Sequence, residues 1–262
     1  MKYFVVDAFA TSKFTGNPAA VCLLDTDLPD GELQMLAAEF NLSETAYLQR
    51  LEEGYYRLRW FTPTIEVNLC GHATLAAAHV LWAHCEVAVN SLRFKTRSGD
   101  LTANRGIDGV SLEFPLTPIS SVSSAENTAL HDVTGGIAAA RRAGEDLLIE
   151  LADEAAVQSF IPNLSLIAAL PARGLIVTAM ASREPRVDFV SRFFGPAAGI
   201  NEDPVTGSAH CALAPYWAPR FGRNELKGRQ LSARGGDVGV VIAGDKAILS
   251  GRAVTVMAGE IY

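Results

Sequence analysis

Eight apolar runs rich in β-branched and aromatic residues punctuate the chain: "YFVVDAF", "AAVCLL", "YRLRWF", "GVSLEF", "DLLIEL", "GLIVTAM", "GVVIAG" and "AVTVMA". Each is bounded by Gly, Pro, Asn or Asp and has the length and composition of a strand. Two stretches depart from that pattern and are predicted helices. One is "GHATLAAAHVLWAH", residues 71–84; the other runs from Ser208 to Trp217 and is expected to break near Pro215. Both are apolar nearly all round, which suits a helix enclosed by a sheet.

The two helices also have matching surroundings. "RWFTP" at 59–63 precedes the first and "RFFGP" at 192–196 the second, sharing the order Arg, aromatic, Phe, any residue, Pro. Pro63 is followed by Gly71 and Pro196 by Gly207, spacings that a three-residue insertion reconciles. Each helix reaches a tryptophan, Trp82 or Trp217, and each is followed by a matching turn, "RSGD" at 97–100 or "RGGD" at 234–237. Glycine and aromatic residues recur in any strand-rich chain, but this many landmarks in one order predict an internal duplication. The stretch "FPLTPISSVSSAEN", residues 114–127, falls between the copies and has a linker's composition. The expected domains are residues 1–115 and 116–251, with a C-terminal strand at about 252–262 able to return to the first. The expected fold class is α+β: two pseudo-symmetric α/β domains, each with a central helix.

Composition narrows the function classes. With 49% hydrophobic and 19% charged residues among 262, the chain can bury a sizeable core and does not resemble a disordered one. A net charge of −7 without a basic run argues against nucleic acid or an anionic membrane surface as partner. Cys22, Cys70, Cys85 and Cys211 include no CxxC pair, which predicts free thiols in a reducing compartment. Asp7 interrupts the first apolar run, and no uncharged apolar stretch approaches about 18 residues. Neither a signal peptide nor a membrane span is expected, and a cytoplasmic location is.

The duplication suggests where chemistry sits. Equivalent helix starts, at Gly71-His72 and Gly207-Ser208, would expose unpaired backbone N–H groups and the positive ends of two helix dipoles, and glycine lets the backbone come close to a ligand. Two such starts facing one cleft would grip a small acid. The candidate acid–base groups are then Cys70 and His72 in the first copy, Asp203, Ser208 and His210 in the second, and Glu44 in "NLSETAYL".

Each has a plainer reading beside it. Asn41 and Glu44 have the N-cap to N3 spacing of a capping box, which spacing alone favours. Asp203 equally suits a turn before Pro204, and Ser208 alone reads as an N-cap. His79 and His84, five residues apart, do not share a helical face as metal ligands would, and read as packing or surface residues. No HExxH, GxxxxGK[ST], GxGxxG or GxSxG is present, which leaves metalloprotease, P-loop, dinucleotide-dependent and α/β-hydrolase chemistry unsupported. What remains is a site with no cofactor and no metal, in which carboxylates and imidazole shuttle protons.

Taken together, "VDAFATSKFTGNPAAVCLL", "NLSETAYL", "RWFTPTIEVNLCGHATLAAAHVL" and "NEDPVTGSAHCAL" resemble the phenazine-biosynthesis (PhzF-like) isomerase family, within the diaminopimelate epimerase and proline racemase superfamily. The motifs occur in the family's order and span both halves. The resemblance implies a diaminopimelate epimerase-like fold, each domain a mostly antiparallel sheet rolled around its helix, with the active site between the domains and the chain a homodimer. It implies that Glu44 is the catalytic acid/base, against the capping preference, and that His72, Asp203 and Ser208 assist proton transfer and hold the substrate. Gly71, Ala73, Gly207, Ala209 and Cys70 line the two helix starts as expected substrate-binding residues.

The family's phenazine-pathway member shifts a proton on trans-2,3-dihydro-3-hydroxyanthranilate without a cofactor. The superfamily's racemases place one cysteine at each helix start. Here Cys70 holds the first such place, Asp203 is expected to fill the second, and Cys211 reads as core. A symmetric two-thiol racemisation therefore lacks a partner, whereas a hydroxyproline-type dehydration using Cys70, or binding of a small acid without turnover, stays open.

Overall fold

The computed structural model describes residues 1–107, 109–136 and 139–262 and divides into two units, Met1–Glu113 with Ser250–Tyr262, and Phe114–Leu249. The first unit contains β1 (Lys2–Ala8), β2 (Asn17–Leu24), α1 (Asp30–Phe40), β3 (Glu44–Glu52), β4 (Tyr55–Phe61), β5 (Glu66–Val67), α2 (Gly71–Ala83), β6 (Ser91–Thr96), β7 (Gly99–Gly106) and most of β8 (Gly109–Pro115). The chain continues with β9 (Ile119–Ser120), α3 (Ser124–Thr134), β10 (Ala139–Ala143), β11 (Asp146–Glu150), α4 (Glu154–Ser159), α5 (Leu164–Ala168), β12 (Leu175–Met180), β13 (Phe189–Gly195), β14 (Ile200–Asp203), α6 (Gly207–Phe221), β15 (Glu225–Gln230), β16 (Gly236–Ala243) and β17 (Lys246–Gly251). The final strand, β18 (Ala253–Glu260), pairs antiparallel with β1 in the first unit.

Both units repeat one strand plan. A strand pairs parallel with the next (β2 with β3, β11 with β12), which pairs antiparallel with a third (β4, β13). The third pairs parallel with the strand after the helix (β6, β15), and that strand turns back antiparallel through "RSGD" or "RGGD". The sheets are thus mixed, mainly antiparallel, and the two parallel steps in each unit are the crossovers made by helices.

Burial follows from this plan. β4, β6, β8, β15 and β17 alternate buried and less buried positions, as a sheet with one packed face requires. β11 and β12 are buried along nearly their whole length because helices cover both their faces. Helix α2 packs on β1, β2, β3, β7 and β18, and is buried all round, as its sequence predicts. Helix α6 packs its Ala209, Leu213 and Trp217 against Leu148, Ile176, Phe189 and Leu226. Outside the sheets, α1 contributes Leu33 and Ala37 to a cluster with Cys22, Tyr47 and Phe61, while α4 and α5 bury Val157 and Ile167 against Val177 and Phe194. No helix among the described residues is long and apolar enough to cross a membrane.

Four sequence expectations are corrected here. Asn41 does not open a helix: it closes α1 in the left-handed conformation, φ 49°, and Glu44 is the first residue of β3. Helix α6 does not break near Pro215 but runs on to Phe221, with Gly222 as its left-handed cap. Pro215 cannot donate to the carbonyl of Cys211, and the backbone N–H of Thr117 takes that carbonyl instead, at 3.2 Å. The stretch 114–127 is not a bare linker, for it holds β9 and the start of α3, where Ser123 and Glu126 form a reciprocal capping box. His79 and His84 do converge: their Nε2 atoms lie 3.0 and 2.7 Å from the hydroxyl of Thr255 on β18. That happens because α2 ends at Ala83 and His84 leaves helical geometry.

Candidate active site

Glu44 opens β3, and His72 is the second residue of α2, whose N-cap is Cys70. The strand start and the helix start meet. His72 Nε2 lies 3.1 Å from Glu44 Oε2, and Cys70 Sγ lies 3.6 Å from His72 Nδ1 on the other side of the ring. All three side chains are largely buried, with 13% of the Glu44 side chain and 8% of His72 exposed. Neither His72 Nε2 nor Glu44 Oε2 makes a well-aligned hydrogen bond, close as they are, so each retains capacity for another partner.

The electrostatics of this trio are set by its burial. Burial, and after it the Glu44 charge, pushes the Cys70 thiol up against the opposing pull of His72, and keeps it protonated at neutral pH. Burial pulls the His72 imidazole down, but the acidic groups beside it, Cys70 and Glu44, outweigh that and hold it well above the ordinary histidine value. The three donor atoms also lie within 4.8 Å of one another, near enough for one soft metal ion to gather them. Their order, thiol to imidazole to carboxylate, is that of a proton relay.

The second unit builds its helix start differently. Asp203 ends β14, and Thr206 is the N-cap of α6. Thr206 Oγ1 donates to Asp203 Oδ2 at 2.5 Å instead of capping the helix. Fully buried Gln230 locks the turn: its Oε1 accepts from Thr206 N at 2.9 Å, and its Nε2 donates to the Asp203 carbonyl at 2.6 Å. Ser208 lies inside the first turn of α6 and is not its N-cap; its hydroxyl accepts from Arg173 Nη2 at 3.0 Å. Neither α2 nor α6 has a side-chain cap or an acidic residue in its first turn, which leaves the N–H groups near Gly71, Gly207 and Ala209 for other partners, while that of Ala73 turns to the Cys70 thiol.

Strand registers align the two starts residue by residue. Thr45 faces Phe61 and Leu175 faces Phe194, so Gly174 is the counterpart of Glu44. Trp60 faces Val67 and Phe193 faces Asp203, so Asp203 corresponds to Val67. The second thiol place is therefore held by Thr206, the N-cap matching Cys70, and not by Asp203 as expected. His210 drops out of the candidate set: it is fully buried, its Nδ1 lies 2.8 Å from the Thr206 carbonyl, and burial pulls it down to about 4, so it is neutral. Cys211 is core, its thiol pushed up to about 12 by burial.

The sequence reading missed Arg173, Asp146, Thr206 and Gln230. Arg173 and Asp146 follow no motif, and the spacing from Gly174 to Phe194 differs from that of Glu44 to Phe61, which hides the match.

A probable proline racemase of Agrobacterium radiobacter shares the fold, with a TM-score of 0.61 at 12% identity, covering 100% of this chain and 92% of that one. The chain belongs to the phenazine biosynthesis-like protein family, whose model matches residues 6–259. It is 46% identical over 259 residues to an uncharacterized isomerase of Pseudomonas aeruginosa, covering 99% of this chain and 98% of the other. A crystal structure of a phenazine biosynthesis protein of the PhzF family from Enterococcus faecalis superposes with a TM-score of 0.94 at 41% identity, covering 100% of this chain and 98% of that one. The chain is thus a member of a family of isomerases.

Proposed function

We propose that the protein is a cofactor-independent isomerase that moves a proton between carbons of a small cyclic amino or hydroxy acid, a reaction similar to the isomerisation of trans-2,3-dihydro-3-hydroxyanthranilate. One contact carries this reading: Glu44 Oε2 and His72 Nε2, buried and 3.1 Å apart, each with hydrogen-bonding capacity left over. The Glu44 carboxylate takes a proton from a substrate carbon, leaving the electron pair delocalised into the substrate's unsaturated system, and delivers a proton to a second carbon after its carboxyl exchanges with solvent. The charged His72 imidazole steadies the carboxylate before transfer and donates toward the negative charge that develops on the substrate. Asp203 and Ser208 serve in this reading as substrate-holding groups.

Cys70 is a neutral thiol with a threonine as its counterpart, which does not support a thiolate base. A homodimer belongs to the same reading on family resemblance, and a monomeric mass in light scattering at micromolar concentration would remove it.

The test is proton NMR in D₂O with trans-2,3-dihydro-3-hydroxyanthranilate, hydroxyprolines and amino acids. Deuterium entering a ring carbon with the native chain, and not with Glu44→Gln, is the expected result. Exchange that survives Glu44→Gln removes Glu44 as the base.

A further inference from the structure

The place that Glu44 holds in the first unit is closed to any side chain in the second. A Cβ on Gly174 would fall 2.4 Å from Phe193 Cζ and 2.8 Å from the Phe194 carbonyl oxygen. The residue before it, Arg173, instead extends toward the helix start. Its Nε donates to Asp146 Oδ1 at 2.9 Å and its Nη2 to Asp146 Oδ2 at 2.5 Å, a two-pronged clamp by a carboxylate that is only 4% exposed. The guanidinium also sits 5.5 Å over the Phe193 ring, and Nη2 reaches Ser208. Next to the position that matches the first unit's acid, the second unit thus holds a fixed cation.

Clamping uses the Nε and Nη2 side of the guanidinium. The Nη1 edge has no protein partner among the described residues, and 41% of the side chain is exposed. Holding the plane of an arginine in advance lowers the ordering cost of binding an anion, and the remaining N–H groups suit a carboxylate. Backbone alone would serve to tie this segment to β11: Arg173 N donates to the Glu145 carbonyl at 2.8 Å, and Leu147 N to the Gly174 carbonyl at 2.9 Å. The buried clamp therefore does more than join two segments.

We propose that Arg173, held by Asp146 and bridged to Ser208, is a carboxylate-binding subsite that selects small organic acids over their neutral analogues. This rests on the proposed function for its substrate class and adds the group that reads the substrate's charge. Asp146 is a positioning residue, and Arg173 touches the ligand.

The experiment is calorimetric titration of 2-aminobenzoate and 2-aminobenzamide, which differ only in the carboxylate, into the native, Glu44→Gln, Arg173→Gln, Arg173→Lys and Asp146→Asn chains. The native and Glu44→Gln chains are expected to favour the acid. Arg173→Gln should cut that preference about tenfold or more, with Arg173→Lys and Asp146→Asn in between. Arg173→Lys, which keeps the charge, guards against loss of folding in the Gln variant, and melting temperatures follow every chain. A native chain that binds neither compound, or an acid preference unchanged in Arg173→Gln, overturns the subsite. An Arg173-dependent preference alongside absent deuterium exchange would sink the isomerase reading alone; exchange with no Arg173-dependent preference would sink only the subsite.

Discussion

The two units differ least where they are scaffold and most where their helices begin. In the first, Arg59 grips Glu66 with two hydrogen bonds, at 2.8 and 2.7 Å, and lies 5.0 Å over Phe61. In the second, Arg192 grips Glu202 in the same way, at 2.7 and 3.0 Å, and lies 4.9 Å over Phe194. Each clasp ties the long strand to the short one that leads into the helix. At the helix starts the match ends: glutamate against glycine, cysteine against threonine, histidine against serine. A duplicated unit can exchange those residues because they lie at element ends, while the clasp holds the backbone that presents them.

The largest expected effect breaks the comparison on the acid–base side. Glu44→Gln should slow solvent exchange into substrate by roughly 10²–10⁴-fold, measured by NMR. Next come the clasps. Glu66→Gln and Glu202→Gln each leave a partly buried arginine short of its partner and should each cost about 2–4 kcal/mol in urea unfolding. Unequal losses would mean that the two clasps are not equivalent, and Glu66, which also meets Arg97 at 2.6 Å, is the one expected to cost more.

A comparable effect separates the two helices by pH. Each carries a buried histidine, but burial pulls His210 down to about 4, while His72 is raised by the acidic groups beside it against burial. Below about pH 6.5 the unfolded chain protonates the residue at 210 and the folded chain resists until about pH 4. Stability therefore falls as pH drops through that window, by on the order of 3 kcal/mol. The His72 contribution has the opposite sign: present below the ordinary histidine value, it is lost as pH rises through the raised one. Melting curves should show His210→Asn flattening the acid side and His72→Asn the alkaline side; the same slope change in both would contradict the assignment. The smallest effect is expected from Cys70→Ser. A neutral thiol beside His72 should change exchange less than about tenfold, and complete loss would favour Cys70 as the base.

Much of the scaffold is legible along the chain. Runs such as "GLIVTAM" and "AVTVMA" are strands because β-branched residues pack well on a pleated surface, and the two all-apolar helices can exist in water only when enclosed. The repeated Arg-aromatic-Phe-x-Pro segments mark the duplication, since each copy needs the same arginine for its clasp. Helices α1 and α3 were not legible. α1 buries only Leu33 and Ala37, and α3 only Leu130 within a segment of linker composition, so neither shows an apolar stripe.

The site was legible only as a set of residue types. That Glu44 opens a strand instead of capping a helix depends on α1 ending at Asn41 and on β3 pairing with β2. That Arg173 reaches Ser208 depends on a buried Asp146 from another strand, and that His79 and His84 share Thr255 depends on β18 returning to β1. Local spacing governs hydrogen bonds and hydrophobic periods a few residues long, so it can name elements. Contacts between residues tens to hundreds of positions apart follow from how sheets close around their helices, and there the chemistry of this chain is assembled.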